Sequence, residues 1–468
     1  MPHRGLAYAV AAAFLLFPIL SGAKGPDFRD SANRVRKLLQ ELVAANTENP
    51  PGNEARAVAI GAERLRGAGV PYQVFEFAPG RANLIARLKG NGSAKPLLLL
   101  AHVDVVPTAG QPWSVSPHQV TERGDRLFGR GVLDDLSMAA AELEVILLLK
   151  AAGTPLRRDV ILAWTGGEET GGDGIRWQLQ HHPETLGDAG LAFNEGGGLR
   201  LGSDGTVKEA SLLVAEKIYQ DFTIRTTGTS GHSSAPRPDN AIYRLARALD
   251  RLAHNPFPAR LLPVTRKWFE AAAATEEPRV AEAMRAIATS KGALPEAALE
   301  VISAKPAMVA LLRTTCVPTQ LAAGTGRNVL PAEATANVNC RILPDQGPEE
   351  VRLALVETIA DAGVDVVPVD KAIGGKASPL VGEGPAALRT VLGRLYPGVP
   401  LIPKMVNYFT DSRSLVEIGV TAYGVGLFPA TEQDGLTVHA ADERLPTASL
   451  RPGIELLHAL VTELAAGR

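Results

Sequence analysis

His102 and Asp104 follow the apolar run Leu97–Leu100, and residues two apart on an extended chain project to the same side. The Asp104 carboxylate is therefore placed to accept from one imidazole nitrogen while the other faces a metal ion. Alone, such a triplet is equally a structural pair. Downstream, the turn Gly129-Arg-Gly-Val-Leu ends in Asp134-Asp135 at the entry to an apolar helix. Both are candidate ligands, and one of them can serve as the helix cap instead. Glu168 and Glu169 sit in a glycine-rich loop, Gly166 to Gly172, directly after another apolar run. Adjacent carboxylates repel, so the pair makes sense if one is neutralised by a cation and the other works as a base; a solvated acidic turn is the plainer reading. Glu195 follows Leu191–Phe193 in the same way, and His439 stands alone far downstream.

Taken together, His102, Asp104, Asp134, Glu168, Glu169, Glu195 and His439 supply two imidazoles, a carboxylate able to bridge, terminal carboxylates and a spare base. That set suits two divalent ions sharing a water, with zinc favoured and manganese or cobalt as substitutes. Arg341 and Arg413 are candidates to grip a substrate carboxylate, because guanidinium binds carboxylate in a bidentate manner; pairing of Arg413 with Asp411 is the alternative. Trp268 and Phe269 can line an acyl pocket or simply pack in a core.

The elements that must position these groups read as alternating helices and buried strands. Helical spacing marks 30–45 and 53–68, strand patterns mark 72–77, 83–88, 96–101 and 159–165, and a helix spans 137–151. This is an α/β pattern. From Lys217 the texture changes: strand 219–226, helix 240–254, strands 309–317 and 332–342, helix 348–362 and strand 364–369 compose a small α+β unit. The expected architecture is a catalytic α/β domain with a mixed sheet, residues 24–217 and 375–468. It is interrupted at 218–374 by a smaller α+β domain, which carries a helical insertion at 259–308.

The chain has 468 residues, with 48 Lys+Arg against 50 Asp+Glu and a net charge of −2. That balance gives no reason to expect nucleic acid or an anionic membrane as partner. Only two cysteines are present, which excludes an all-Cys zinc site, so His and carboxylates must hold any metal. His3 and Arg4, the apolar run Leu6–Leu20 and the small residues Ser21-Gly22-Ala23 read as a cleaved signal over 1–23, with an uncleaved anchor or core helix as the alternative. The mature protein is expected to be exported, periplasmic or secreted, with no membrane association after cleavage. Cys316 and Cys340 lie on the two expected strands flanking Gly324-Thr-Gly326, which could be neighbours in one sheet; free buried thiols are expected over a disulfide, since strand neighbours often miss disulfide geometry.

In order and spacing these motifs make the chain resemble the M20 family of dinuclear metallopeptidases and amidohydrolases, over essentially the whole mature length. The Leu133-Asp134-Asp135 form and the long insertion are most similar to its carboxypeptidase S-like branch. The resemblance implies that His102 and Glu195 hold one metal, Glu169 and His439 the other, and that Asp134 bridges. It also implies that Asp104 orients His102 and that Glu168 is the general base. The interrupting domain resembles the family's lid or dimerisation domain. Gly231-His232-Ser-Ser matches its histidine motif, which stabilises the oxyanion, often from the neighbouring subunit of a homodimer. Asn328, in Asn328-Val-Leu-Pro331, and Arg341 match positions that contact substrate. Leu136 departs from the family's usual Lys, which puts the local charge balance in doubt but not the ligands. The expected activity is hydrolysis of a C-terminal peptide bond or an N-acyl amino acid amide. The competing readings are a dizinc aminopeptidase of another family, disfavoured by the whole domain between Glu195 and His439, and a solute-binding protein, which has no need of Glu168.

Overall fold

The computed structural model describes residues 26–466; the expected signal segment 1–23 lies outside them. Its centre is a nine-stranded mixed sheet whose main path runs Tyr72–Ala78, Arg81–Leu88, Val160–Thr165, Leu97–His102, Leu191–Asn194, Thr421–Val425, Val207–Glu216 and Leu401–Val406, with Gly198–Leu201 paired to Val207–Glu216. Leu97–His102 runs parallel to both Val160–Thr165 and Leu191–Asn194, which in turn is parallel to Thr421–Val425. Arg81–Leu88 joins Val160–Thr165 antiparallel.

The leucine run explains why this sheet lies in the interior. Leu97 and Leu99 belong to one hydrophobic core, and Leu98 and Leu100 to the core on the opposite face. Val160, Leu162 and Trp164 alternate with Ile161 and Ala163 in the same way. A strand that must satisfy two apolar faces reads as a continuous apolar run. The larger core includes residues from the helices Phe28–Ala44, Glu54–Gly67, Leu136–Ala152, Glu383–Leu395 and Leu450–Ala465. The opposite one takes Ile175 from Asp173–His181 and Leu415 from Ser412–Glu417.

A second, antiparallel sheet orders Thr315–Ala323, Glu333–Ile342, Ile218–Thr227 and Val364–Pro368. The helices Ala241–His254 and Pro348–Ile359 cover it around a separate core that includes Phe222, Ile224, Leu245, Val338 and Leu355. The helices Pro263–Ala272, Pro278–Thr289, Glu296–Ser303 and Pro306–Leu312 enclose a further core around Phe269, Met284 and Ile287. The molecule is thus α/β with a large mixed sheet, accompanied by a smaller antiparallel α+β unit.

Several elements differ from the expectation. The segment expected as a strand over 309–317 divides into the helix Pro306–Leu312 and the strand Thr315–Ala323. Pro306 is suited to a first helical turn, where no N–H is needed, and Met308 and Leu312, four apart, bury one face. Val207–Glu216 and Leu401–Val406 are strands that charged residues interrupt in sequence, with Lys208 and Glu209 in one and Lys404 in the other.

Cys316 and Cys340 are joined by a disulfide, not left as free thiols. The register places them directly opposite on antiparallel strands, with Cα atoms 4.1 Å apart, so the alignment that strand neighbours often miss is met here. Denatured, unreduced protein should therefore titrate no thiol. Closing a loop across a separation of 24 residues, the bond should contribute about 3 kcal/mol on the chain-entropy model. Denaturant unfolding of a Cys316→Ala/Cys340→Ala protein measures this, and an unchanged midpoint would contradict it.

Candidate metal centre

In an open α/β sheet the carboxyl ends of parallel strands share one edge, and ligands bind there. His102 is the last residue of Leu97–His102, Glu168 and Glu169 form a short turn just after Val160–Thr165, and Glu195 directly follows Leu191–Asn194. Three neighbouring strands thus deliver their chemistry to the same place. Gly167, at φ +80°, makes the reversal from strand to turn that a side chain would strain. Asp134 comes from the loop before the helix Leu136–Ala152, and His439 from the connection between Glu432–Gly435 and Arg444–Pro446.

The ligand atoms of His102, Asp134 and Glu195 form one group and those of Asp134, Glu169 and His439 a second, each within 4.8 Å of one another. Asp134 belongs to both. Its Oδ1 lies 3.1 Å from His102 Nε2 and its Oδ2 3.2 Å from His439 Nε2. His102 Nε2 is also 3.7 Å from Glu195 Oε1, and His439 Nε2 is 3.1 Å from Glu169 Oε2. Imidazoles approaching the two oxygens of one carboxylate, each with its own further carboxylate, make a donor set for a pair of divalent cations.

The electrostatics agree. Among the described residues, no Lys or Arg forms an ion pair with Asp134, Glu168, Glu169 or Glu195, although all four lie in or at the edge of the interior. Burial pushes the carboxyls of Glu168 and Glu195 well above the usual range, and neighbouring carboxylates add to the effect. The His439 imidazole is raised to about 10 by its bonds to Asp134 and Glu169. Surplus buried negative charge of this kind is what divalent cations neutralise.

Asp104, fully buried, adjoins His102 and the Glu168-Glu169 turn. His102 Nδ1 is hydrogen-bonded to the Asp104 backbone carbonyl at 2.9 Å and stands 3.6 Å from its carboxylate. That carboxylate accepts from the Glu168 N–H at 3.1 Å, the Glu169 N–H at 3.2 Å and Asn49 Nδ2 at 2.9 Å. Burial alone would raise its pKa; the nearby imidazole and these donors outweigh that and lower it. Asp104 thus joins the His102 strand end to the Glu168-Glu169 turn. Asn49, which also donates to Thr170 Oγ1 at 2.9 Å, escaped the sequence reading because nothing in the Thr47–Pro51 segment signals its position under the site.

Beyond the ligands opens a cleft of about 850 Å³ lined by Asp134, Glu168, Glu169, Glu195 and His439, by the apolar side chains of Leu199, Leu427, Phe428 and Val438, and by Arg341. Arg341 projects from Glu333–Ile342 in the second sheet and stacks on Tyr219 at 4.7 Å, with Nη1 donating to the Asn407 carbonyl at 3.1 Å. The other candidates do not reach this cleft. Arg413, 5% exposed, stacks on Phe409 at 3.7 Å and donates to the Gly171 carbonyl, which supports the Glu168-Glu169 loop. His232 and Asn328 are exposed on the second unit, His232 in a short ribbon where Gly231–His232 pairs with Val329–Leu330 and the Ser233 N–H donates to the Asn328 carbonyl at 3.0 Å. Phe269 packs in the insertion's core with Trp268 against it, and Leu136 is buried in the main core.

A mixed α/β sheet carrying carboxylate and imidazole donors for two cations at its strand ends defines the class, a metal-dependent hydrolase. The chain belongs to peptidase family M20/M25/M40, whose profile matches residues 98–463. It is 27% identical to a probable carboxypeptidase S-like 2 of Dictyostelium discoideum, covering 81% of this chain and 74% of the relative. It is likewise 27% identical to the mouse (Mus musculus) N-fatty-acyl-amino acid synthase/hydrolase PM20D1, covering 96% and 94%. Among solved structures, an M20 family metallo-carboxypeptidase of Sulfolobus solfataricus superposes with a TM-score of 0.65 at 18% identity, covering 92% of this chain and 98% of that one.

If Asp134 is shared, Asp134→Ala should abolish tight binding at both positions, whereas Glu195→Ala and Glu169→Ala should each leave one. Metal content after equilibrium dialysis measures this, and two ions retained by Asp134→Ala would contradict the shared role.

Proposed function

We propose that the protein is an exported amidohydrolase that cleaves N-acyl amino acids with an extended apolar acyl group, releasing the amino acid and a carboxylic acid. The observation that carries this reading is the make-up of the cleft. One opening holds the candidate ligands, the apolar wall of Leu199, Leu427, Phe428 and Val438, and the Arg341 guanidinium. Those are the three features an acyl amino acid presents: an amide, an apolar chain and a carboxylate. The PM20D1 relative, named for N-fatty-acyl-amino acids, supports the choice. A C-terminal peptide bond is the second reading, favoured by the carboxypeptidase S-like relative.

His102 and Glu195 would hold one cation, Glu169 and His439 the other, and Asp134 both, with zinc the ion best suited to these donors. Bound there, divalent cations polarise an amide carbonyl and acidify water. Glu168 belongs to neither ligand group yet lines the same cleft, so its carboxylate is free to take the proton of the attacking water and return it to the leaving amine. The Asp104 carboxylate fixes that turn through the Glu168 and Glu169 N–H groups. Arg341, already held by Tyr219 and Asn407, binds the substrate carboxylate with little ordering cost. His232, exposed and outside the cleft, would act on the site of a second copy in a homodimer formed through the 218–374 domain. Export is supported by the Cys316–Cys340 disulfide, since such bonds persist in oxidising compartments, and by the signal-like segment 1–23.

A panel of N-palmitoyl, N-acetyl and dipeptide substrates sharing one C-terminal amino acid separates the readings. The highest kcat/KM is expected for the long acyl chain; preference for the dipeptide would favour a peptidase. Glu168→Gln should lower kcat by about 10²–10⁴ with metal content unchanged, and turnover near wild type would remove Glu168 from the base role.

A further inference from the structure

Of the candidate ligands, Asp134 and His439 are held by no strand end, and His439 is the more exposed of the two. It sits in an irregular connection, its side chain is 50% exposed, and it adopts φ +61°, a left-handed conformation that strains a non-glycine residue. Asp442, three residues on, is also left-handed at φ +57°. Something else must keep the imaginable freedom of this loop from scattering the imidazole.

Four residues after His439 stands Glu443, 0% exposed and saturated with donors. Its Oε2 accepts from Arg130 Nη1 at 2.7 Å and the Gly131 N–H at 2.9 Å. Its Oε1 accepts from the N–H groups of Leu133 at 2.8 Å and Asp134 at 3.0 Å. Arg130, 1% exposed, donates through Nη2 to Gln111 Oε1 at 2.8 Å and has Trp113 beneath its guanidinium at 5.1 Å. Gln111 Nε2 then donates to the His439 backbone carbonyl at 3.0 Å, and the Ser114 N–H donates to Asp442 Oδ1 at 2.8 Å. The contacts close a ring: Glu443, Arg130, Gln111, the His439 carbonyl, and the chain back to Glu443.

We propose that Glu443, Arg130 and Gln111 are positioning residues that set the His439 imidazole at its distance from Asp134 and Glu169, and that through Gln111 the affinity of the second cation is tuned separately from the first. The inference rests on the metal-centre reading above. Glu443 holds the Asp134 backbone and stands at the end of the His439 loop, whereas Gln111 meets the His439 carbonyl directly and Asp134 only through Arg130 and Glu443. Gln111 is therefore the member whose removal acts on one cation alone, and as a partly exposed residue it can be replaced without opening the core.

Cobalt titration of the metal-free full chain in two backgrounds tests this. Glu195→Ala leaves only the Glu169–Asp134–His439 position, and Glu169→Ala leaves only the His102–Asp134–Glu195 position. Adding Gln111→Ala should weaken cobalt about tenfold or more in the first background and leave the second unchanged, as loss of groups that orient ligands commonly costs 10–100-fold. Unchanged affinity in the first background, or an equal loss in both, overturns the proposal. Failure of both backgrounds to bind cobalt overturns the metal-centre reading and this one with it, a result distinct from either. Glu443→Gln should weaken cobalt in both backgrounds, because an amide keeps one acceptor oxygen and cannot serve both Arg130 with Gly131 and the N–H groups of Leu133 and Asp134; an effect confined to one would contradict the ring.

Discussion

The carboxylates of Asp134, Asp135, Glu168, Glu169 and Glu195 crowd one edge of the sheet, with the His102 and His439 imidazoles among them. Like charges about 4 Å apart repel by about 4 kcal/mol at the effective dielectric of a protein, so the arrangement is sustainable only with cations between them or with protons on some of the acids. The chain spends much of its polar structure on keeping the acids there. Asp104 fixes the turn that carries Glu168 and Glu169, and Arg413 holds its far side through Gly171. Glu443 receives the N–H groups leading into Asp134. These contacts act on backbone, which leaves the ligand carboxylates themselves unpaired with Lys or Arg among the described residues.

The sheet supplies the complementary rigidity. Each strand that ends in the site is buried on both faces, so the position of His102, Glu168 or Glu195 cannot shift without disturbing two cores. Arg341 reaches the cleft from the second sheet, one residue beyond the Cys316–Cys340 bond that ties its strand to the sheet's edge. The Arg341 guanidinium and the candidate ligands therefore line one cleft from different sheets.

Much of this was legible in the residues. Leu97–Leu100 and Asp159–Thr165 announced buried strands because a strand with two apolar faces has no polar alternation, and the acids just past their ends marked the edge where ligands bind. Val207–Glu216 and Leu401–Val406 were not legible, since Lys208, Glu209 and Lys404 break the apolar run where these strands face the cleft or solvent. The disulfide depended on register, which no local pattern near Cys316 or Cys340 encodes. Asn49 and Gln111 were invisible for a related reason: each bridges residues distant in sequence, and an isolated amide carries no spacing to read. His439 was found only by joining it to the strand-end acids, and its own loop gave no sign of the ring that holds it.

The central claim is that two cations share the Asp134 carboxylate, and anomalous diffraction from zinc-soaked crystals tests it most directly. The account predicts two peaks flanking Asp134, one between His102 and Glu195 and the other between Glu169 and His439. A single peak, or peaks that leave Asp134 without contact to both, would contradict it.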